Sequence, residues 1–189
     1  MTIIVTGSSR GIGASILATL RDGGHAVIGQ ATATGNGADI AADFADPAAP
    51  RALWDAALAR AGGTIDVLIN NAGVFEANPL DRASDDWVAD WERTQRINLT
   101  AAAELCRLAV LHWQDRKVGG RIVMPIGPSD TSTQLLRMTK RADGTLDRCT
   151  LGPALFVPFT GGRVPPFAPR ALTDRSIPLC FRAPIVGVV

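Results

Sequence analysis

The 189-residue sequence contains no tyrosine, and its three cysteines, Cys106, Cys149 and Cys180, lie far apart. Their odd number and wide spacing argue against a disulfide scaffold and against a zinc site, so we expect no metal. No apolar run reaches the roughly 18 residues needed to span a bilayer, which excludes a transmembrane protein. The formal net charge is only +1, so charge gives no reason to expect binding to nucleic acid or to an anionic membrane.

The first six residues predict a strand and lack the basic region and apolar core of a signal peptide. Isolated cysteines suit a reducing compartment, so we expect a cytoplasmic location. Composition changes near Gly119: the residues before it hold 10 basic and 14 acidic side chains, and the rest of the chain holds 9 and 4. Such a break indicates two stretches of different origin or structural state.

Apolar patterning before that break predicts strands that alternate with helices. Short β-branched runs indicate strands, and longer amphipathic stretches indicate helices. The predicted strands are 3–5, 25–28, 39–44, 65–69 and 121–124, and the predicted helices are 11–20, 47–61 and 93–117, with a further helical region from about residue 81. This alternation predicts an α/β fold with a doubly wound parallel sheet.

The pattern changes after Pro125. Two strand-like runs, 135–139 and 155–159, are separated by a turn at 141–145 and by no helix, which predicts an antiparallel pair. Prolines at 165, 166, 169, 178 and 184 disfavour long regular structure, so we expect an irregular tail.

A glycine-rich loop, TGSSRGIG at residues 6–13, lies between the first strand and the first helix. Glycine allows a tight turn at Gly7, close approach of the backbone to a pyrophosphate, and close helix–strand packing at Gly13. The helix start offers free N–H groups and a positive dipole end to phosphates. The loop therefore predicts a dinucleotide site, with a glycine-rich turn that binds nothing as the alternative.

Together with three later motifs, this loop resembles the short-chain dehydrogenase/reductase family over residues 1–123. The motifs are Asp43-Phe44, Asn70-Asn71-Ala72-Gly73 and Ile97-Asn98-Leu99, in the family's order and spacing. The resemblance implies a Rossmann-like sheet of order 3-2-1-4-5, a nicotinamide cofactor and oxidoreductase chemistry. It implies a catalytic role for Asn98 and cofactor contacts from Gly7, Ser8, Ser9, Arg10, Gly11, Ile12, Gly13, Asp43, Phe44, Asn71, Ala72 and Gly73.

The choice of cofactor depends on the end of the second strand. A carboxylate there would bind the ribose hydroxyl of NAD and repel the 2′-phosphate of NADP, but Gly29–Thr32 contain no acid. Arg10 in the loop could pair with a 2′-phosphate, and the alternative is that it is a solvated surface arginine. We therefore expect NADP, with NAD as the alternative.

The resemblance ends where the family places its catalytic Ser, Tyr and Lys. Gly127 stands at the Ser position, Leu136 stands four residues before Lys140 where Tyr is expected, and Ser129 lacks a proton-transfer partner. Only Asn98 remains of the family's catalytic set, and an asparagine alone is neither acid nor base. We therefore expect an NADP-binding domain with impaired catalysis, and a reductase using another acid, such as Lys140 or a bound water, stays open.

Residues 119–161 resemble the C-terminal end of protein-L-isoaspartate O-methyltransferases, through GGRIVMPIGP, QLLRMT and LGPALFVPFTG. This resemblance implies strands and no methyl transfer, because no counterpart of the methyltransferase's own glycine-rich loop is present. We expect a fusion at the fifth strand, giving a dinucleotide-binding domain over 1–123, an added strand pair over 124–161 and a tail over 162–189. A divergent or frame-shifted dehydrogenase end and a methyltransferase-related or structural hybrid are the alternatives. Oligomer formation stays open.

Overall fold

A computed structural model of the chain describes residues 1–116, 120–126, 134–141, 143, 145–153 and 185–188. The strands are β1 Thr2–Thr6, β2 Ala26–Ala31, β3 Ile40–Ala41, β4 Val67–Asn70, β5 Gly120–Ile126, β6 Gln134–Lys140, β7 Leu146–Pro153 and β8 Ile185–Val188. The helices are α1 Gly11–Asp22, α2 Ala49–Arg60, α3 Ser84–Gln95 and α4 Ala101–Asp115, with a π-helical turn at Arg96–Thr100 between the last two.

The strands form one sheet of order β3-β2-β1-β4-β8-β5-β6-β7. The first four are parallel, and β8 is parallel to both β4 and β5. Strands β6 and β7 continue the sheet beyond β5 as antiparallel neighbours. The predicted α/β class, with a parallel sheet and added antiparallel strands, is therefore confirmed.

Strand β8 corrects the predicted strand order, in which the fifth strand lay directly beside the fourth. Ile185 is in register with Val67 of β4 on one side and with Arg121 of β5 on the other. The sequence after Pro184 is an apolar, β-branched run without proline, and such a run favours a strand. Residues 185–188 are therefore a strand within the predicted irregular tail, and residues 162–184 lie outside the described residues.

The antiparallel pair also differs from the prediction. Strand β6 matches the predicted run 135–139, but the strand that follows it in the antiparallel pair is β7, which begins at Leu146. The reason is a tight turn: the Arg141 N–H donates to the Thr145 carbonyl at 2.9 Å, and the Asp143 carboxylate accepts from the Thr145 N–H at 2.9 Å. The chain therefore re-enters the sheet directly after Thr145. The predicted partner 155–159 lies outside the residues that the structure describes.

Both faces of the parallel half of the sheet are covered, as a doubly wound fold requires. Alternate residues of β1 point to opposite faces: Ile4 joins the larger core, which α2 and α4 cover, and Ile3 and Val5 join a smaller one beneath α1. The larger core includes Phe44, Leu53, Trp54, Leu68, Leu105 and Trp113. These residues position the carboxyl ends of β1, β2 and β4 beside one another.

The predicted helix over 93–117 is observed as the end of α3, the π-helical turn and α4. The end of α4 is anchored, because the Trp113 indole N–H donates to the buried Ile65 carbonyl at 2.8 Å. Helix α3 contains no buried residue, and its Trp87 and Trp91 stack on each other with ring centroids 5.6 Å apart. Across the described ranges, no helix is long and apolar enough to cross a membrane.

Candidate functional site

A cleft of about 460 Å³ opens beside the carboxyl ends of β1, β2 and β4. Its walls are the loop after β1, the end of β2, the segment after β3, the segment after β4, and one side of α3 and the π-helical turn. Every predicted cofactor residue except Ser8 lines this cleft. The sequence motifs therefore converge on one place, although they are spread over the first hundred residues.

Two glycines of the loop are required by close packing. Gly7 has φ +65°, and a Cβ there would lie 2.8 Å from the Ala72 Cα. A Cβ on Gly13 would overlap the Gly7 carbonyl oxygen and the Asn71 side-chain nitrogen. The first turn of α1 is thereby held directly against the ends of β1 and β4, which is the packing role that the sequence predicts for Gly13.

Gly11 differs from these two glycines because the space around it is open. It has φ +55°, and no described atom beyond its chain neighbours and its own helix backbone lies within 4 Å of where its Cβ would stand. Helix α1 starts here without a hydrogen-bonded capping side chain and without an acidic residue in its first turn. The start of α1 therefore presents backbone N–H groups and a positive dipole end toward the cleft, which suits an anionic group.

Asn71 and Thr6 fasten the ends of β1 and β4 together. The Asn71 amide nitrogen donates to the carbonyls of Thr6 and Gly7 at 2.9 and 3.2 Å. The buried Thr6 hydroxyl accepts from the backbone N–H groups of Asn71 and Ala72 at 2.9 and 3.0 Å. This arrangement fixes the width of the cleft between the two strand ends.

Gln30, at the end of β2, is a site residue that the sequence analysis missed. Its side-chain oxygen accepts from the Gly7 N–H at 3.1 Å, and its side-chain nitrogen donates to the Ala42 carbonyl at 2.6 Å. The residue is only 2% exposed. It therefore ties the glycine-rich loop to the segment after β3. A polar amide at the end of an otherwise apolar strand was the signal available in the sequence.

Ser8 belongs to the glycine-rich loop but does not line the cleft. It is fully buried, and its hydroxyl lies 3.3 Å from the carbonyl oxygens of both Gln30 and Gly37, which share its one hydrogen. Its backbone N–H also donates to the Gln30 carbonyl, at 2.9 Å. These bonds support the loop from below, and a contact of Ser8 with a cofactor stays a prediction.

Asp43 and Phe44 line another wall of the cleft, beyond β3. The exposed Asp43 carboxylate accepts from the Ala45 N–H at 3.0 Å, which fixes the local turn, and the Phe44 ring is 4% exposed within the larger core. Arg93 and Ile97, one helical turn apart, line the cleft as well, and Arg93 forms an ion pair with Glu76. Neither residue was predicted as a site residue, although Ile97 directly precedes Asn98 in the sequence.

Asn98 stands in the π-helical turn and is bound to the segment after β4. Its side-chain oxygen accepts from the Val74 N–H, and its side-chain nitrogen donates to the Val74 carbonyl, both at 2.8 Å. Val74 lines the cleft, whereas Asn98 does not. Asn98 therefore positions one wall of the cleft, and its catalytic role stays a prediction.

The remaining candidates for chemistry lie apart from the cleft or outside the described residues. Leu136 and Lys140 both lie on β6, and no described residue of the β6–β7 hairpin lines the cleft. Gly127 and Ser129 fall outside the described residues. Among the parts of the chain that are described, no cluster of His, Cys, Asp and Glu could hold a metal ion.

Cys106 on α4 lies close to Asn70, which ends β4. The Asn70 side-chain nitrogen donates to the Cys106 sulfur at 3.2 Å. Burial raises the pKa of the Cys106 thiol, and the hydrogen bond from Asn70 offsets part of that rise. The thiol is therefore uncharged at neutral pH and serves packing.

The fold and the cleft together define a nucleotide-binding α/β domain, with a glycine-rich loop and a helix start at the ends of parallel strands. The family model for short chain dehydrogenase matches residues 1–126. The chain therefore belongs to the short chain dehydrogenase family. A second family model, protein-L-isoaspartate(D-aspartate) O-methyltransferase, matches residues 90–164. Both predicted resemblances are confirmed, and the second begins further upstream than predicted.

Known relatives match 58–65% of the chain. The chain is 34% identical over 137 residues to 3beta-hydroxysteroid dehydrogenase 1 of Eggerthella lenta, covering 65% of this chain and 51% of that protein. A solved structure of 4-hydroxyisoleucine dehydrogenase complexed with NADH matches with TM-score 0.53 and 25% identity, covering 61% of this chain and 51% of that one. A blue fluorescent protein from a metagenomic library, in complex with NADPH, matches with TM-score 0.50 and 34% identity, covering 58% and 50%. The chain spans about half the length of the relatives it matches.

Proposed function

We propose that this chain is an NADP-binding domain of the oxidoreductase type in which hydride transfer to a carbonyl is impaired. The observation that carries the proposal is the open cleft at Gly11, where the uncapped start of α1 faces a space that a pyrophosphate fits. The bound cofactor would supply a hydride. The cleft residues would hold and orient it.

Each part of the cofactor has a matching wall in the cleft. The pyrophosphate would lie against the backbone of residues 11–13, where no side chain competes for the N–H groups. The Asp43 carboxylate, which lines the cleft, would accept hydrogen bonds from an adenine amino group, and Ile97 would supply apolar surface. Asn71 and Gln30 would hold these walls in place through their hydrogen bonds to Thr6 and Gly7.

Two observations favour NADP over NAD. Arg10 and Thr32 both line the cleft, and no ion pair joins Arg10 to another described residue. The first carboxylate after β2, that of Asp39, is bound to Gly29 and Arg21 and does not line the cleft. The metagenomic blue fluorescent protein was solved with NADPH, and 4-hydroxyisoleucine dehydrogenase with NADH, so NAD stays the alternative.

The impairment rests on missing proton donors. The sequence has no tyrosine, and Asn98 has both atoms of its amide bonded to Val74. Lys140 lies at the exposed end of β6, in register with Leu146 of β7. An unrecognised acid or a bound water would make the protein an active reductase, which is the alternative within the same class.

A second candidate comes from another class. The methyltransferase family match over residues 90–164 favours a methyltransferase-related or structural hybrid. The described part of that match includes α4 and the strands β5, β6 and β7. Of its described residues, Arg93 and Ile97 line the cleft. We therefore keep nicotinamide binding as the proposal. We also propose the division into 1–123, 124–161 and 162–189, the origin by fusion, and the cytoplasmic location.

A binding titration tests the proposal. Calorimetry with NADPH, NADH and S-adenosylmethionine should give binding of NADPH, weaker binding of NADH and none of S-adenosylmethionine. Gly11→Val should abolish NADPH binding, because a branched side chain at φ +55° would enter the open cleft. Gly24→Val is the matched control, since Gly24 also has positive φ and open space but lies at the far end of α1. NADPH binding by Gly11→Val equal to that of Gly24→Val would refute the proposed site.

The preference for NADP is tested at Arg10. Arg10→Ala should narrow the difference between NADPH and NADH binding by about 1–3 kcal/mol, the contribution of one charge-assisted hydrogen bond. Binding of NADH should be nearly unchanged, because it lacks the 2′-phosphate. Tighter binding of NADH than of NADPH by the parent protein would refute the preference.

A further inference from the structure

The connection between β2 and β3 is unusually short for two parallel strands. It spans only Thr32–Asp39, contains no helix, and reaches a β3 of two residues. Parallel neighbours usually need a crossover of a dozen residues or more. Positive φ values at Gly35, Asn36 and Gly37 allow the chain to turn back at once.

Asp39 fixes the far end of this connection to β2. Its carboxylate accepts from the Gly29 N–H at 2.8 Å, and its own N–H donates to the Gly29 carbonyl at 2.8 Å. Two arginines from different helices hold the same carboxylate: Arg21 of α1 at 2.8 Å and Arg60 of α2 at 3.5 Å. The Asp39 side chain is 22% exposed, so this network is partly shielded from solvent.

The near end of the connection emerges into the cleft. Thr32 lines the cleft opposite the glycine-rich loop that carries Arg10. Between the two ends, the buried Ser8 hydroxyl donates to the Gly37 carbonyl at 3.3 Å. The connection is therefore held at Asp39 and at Gly37, which restricts the path of the segment that begins at Thr32.

We propose that Asp39 is a positioning residue that sets the cofactor selectivity of the cleft, by holding the 32–38 connection on β2 so that Thr32 and Arg10 together face a 2′-phosphate. This inference rests on the proposed nicotinamide binding and adds a residue that does not line the cleft. Asp39 acts through the connection, and its charge is balanced by Arg21 and Arg60.

Positioning and simple electrostatics predict opposite signs. Asp39→Asn removes a negative charge near a phosphate site, so electrostatics alone would tighten NADPH binding. Positioning predicts weaker NADPH binding, because an amide in this place loses one or more of the charge-assisted bonds to Arg21, Arg60 and Gly29. NADH binding should change little, since NADH has no 2′-phosphate for Thr32 and Arg10 to hold.

The experiment is a titration of the full chain and its variants with NADPH and with NADH. Asp39→Asn should lower the ratio of NADPH to NADH affinity by about tenfold, the effect of losing about one such bond. Asp55→Asn is the matched control, because Asp55 pairs with Arg51 on the exposed side of α2 and the same substitution there should leave the ratio unchanged. A thermal melt of each variant shows whether it is folded.

Ser8→Ala provides a second test that changes no charge. It removes the hydroxyl contacts with the Gly37 and Gln30 carbonyls, while the backbone N–H of residue 8 still donates to Gln30. It should also lower the ratio, even if Asp39→Asn does not fold. The inference would be overturned if a folded Asp39→Asn variant had an unchanged or raised ratio of NADPH to NADH affinity, or lost affinity equally for both cofactors. If Asp39→Asn does not fold, an unchanged ratio in Ser8→Ala would overturn it. Absence of any nicotinamide binding by the parent would instead refute the proposed function.

Discussion

The first 116 residues and the β5–β6–β7 strands are held together in different ways. In the first region, side chains such as Asn71 and Gln30 bridge segments more than twenty residues apart, and Gly13 permits a helix to touch two strand ends. In the second, β6 and β7 pair with sequence neighbours, and every described residue of β7 from Leu146 to Leu151 is exposed. The region that forms the cleft is thus held by long-range polar contacts, and the β6–β7 hairpin, which does not line the cleft, is held by pairing between neighbouring strands.

This difference separates cofactor binding from chemistry. All described residues that line the cleft lie between Gly7 and Ile97, so the described part of the cleft belongs to the first region. In relatives that the sequence resembles, the proton-transfer groups follow the fifth strand, where this chain has the β6–β7 hairpin. The comparison therefore predicts a domain that binds without reacting.

The largest expected effect concerns turnover. A positioned acid contributes about 10²–10⁴ in rate, so the protein should reduce ketones and aldehydes at least about 100-fold more slowly than a full-length active short chain dehydrogenase. The measurement is NADPH consumption across a broad carbonyl panel, with that full-length enzyme as positive control. Robust turnover that is lost in Asn98→Ala would show that the second region supplies an acid.

Restoring single residues should not rescue the reaction. Leu136 and Lys140 lie four residues apart on β6, which separates them by about 13 Å, whereas the same spacing on a helix brings side chains to about 6 Å. A double variant with Gly127→Ser and Leu136→Tyr should therefore stay inactive in the same assay. Recovered turnover in that variant would contradict the hairpin geometry.

The next effect compares one substitution in both regions. Gly13→Ala should lower the free energy of unfolding by about 3 kcal/mol, because the new methyl group would overlap backbone and Asn71 atoms that have no room to move. Gly152→Ala, in β7, meets no described atom within 4 Å apart from its chain neighbours, and should cost about 1 kcal/mol from its φ of +149°. Urea unfolding measures both changes in the free energy of unfolding. Similar losses for the two variants would show that the two regions do not differ in how tightly they are packed.

Sequence patterning could predict what local spacing specifies. The loop at residues 6–13 and the motif at 70–73 were identified because each is contiguous and follows an apolar strand. Gln30 was not identified, because its hydrogen-bond partners Gly7 and Ala42 are far from it in the sequence and a local sequence pattern does not show them. The location of β8 between β4 and β5 depends on pairing across more than a hundred residues, so a short apolar run after Pro184 did not reveal it.

The smallest effect is a pH dependence of stability that belongs to the first region. Burial and the nearby Arg116 lower the pKa of His112 below its ordinary value near 6.5, and its Nε2 accepts from the Ile65 N–H at 3.4 Å. The unfolded chain therefore binds a proton more readily, so the stabilisation is present above about pH 6.5 and is lost as the pH falls through the lowered pKa. Stability from urea unfolding should decrease between pH 7 and 5. His112→Gln should flatten that profile because glutamine does not titrate, and its amide oxygen can still accept from the Ile65 N–H. His25→Gln, the matched control at the turn before β2, should keep the slope, since His112 is retained. An equal slope in His112→Gln and the parent would place the dependence elsewhere, the hairpin included.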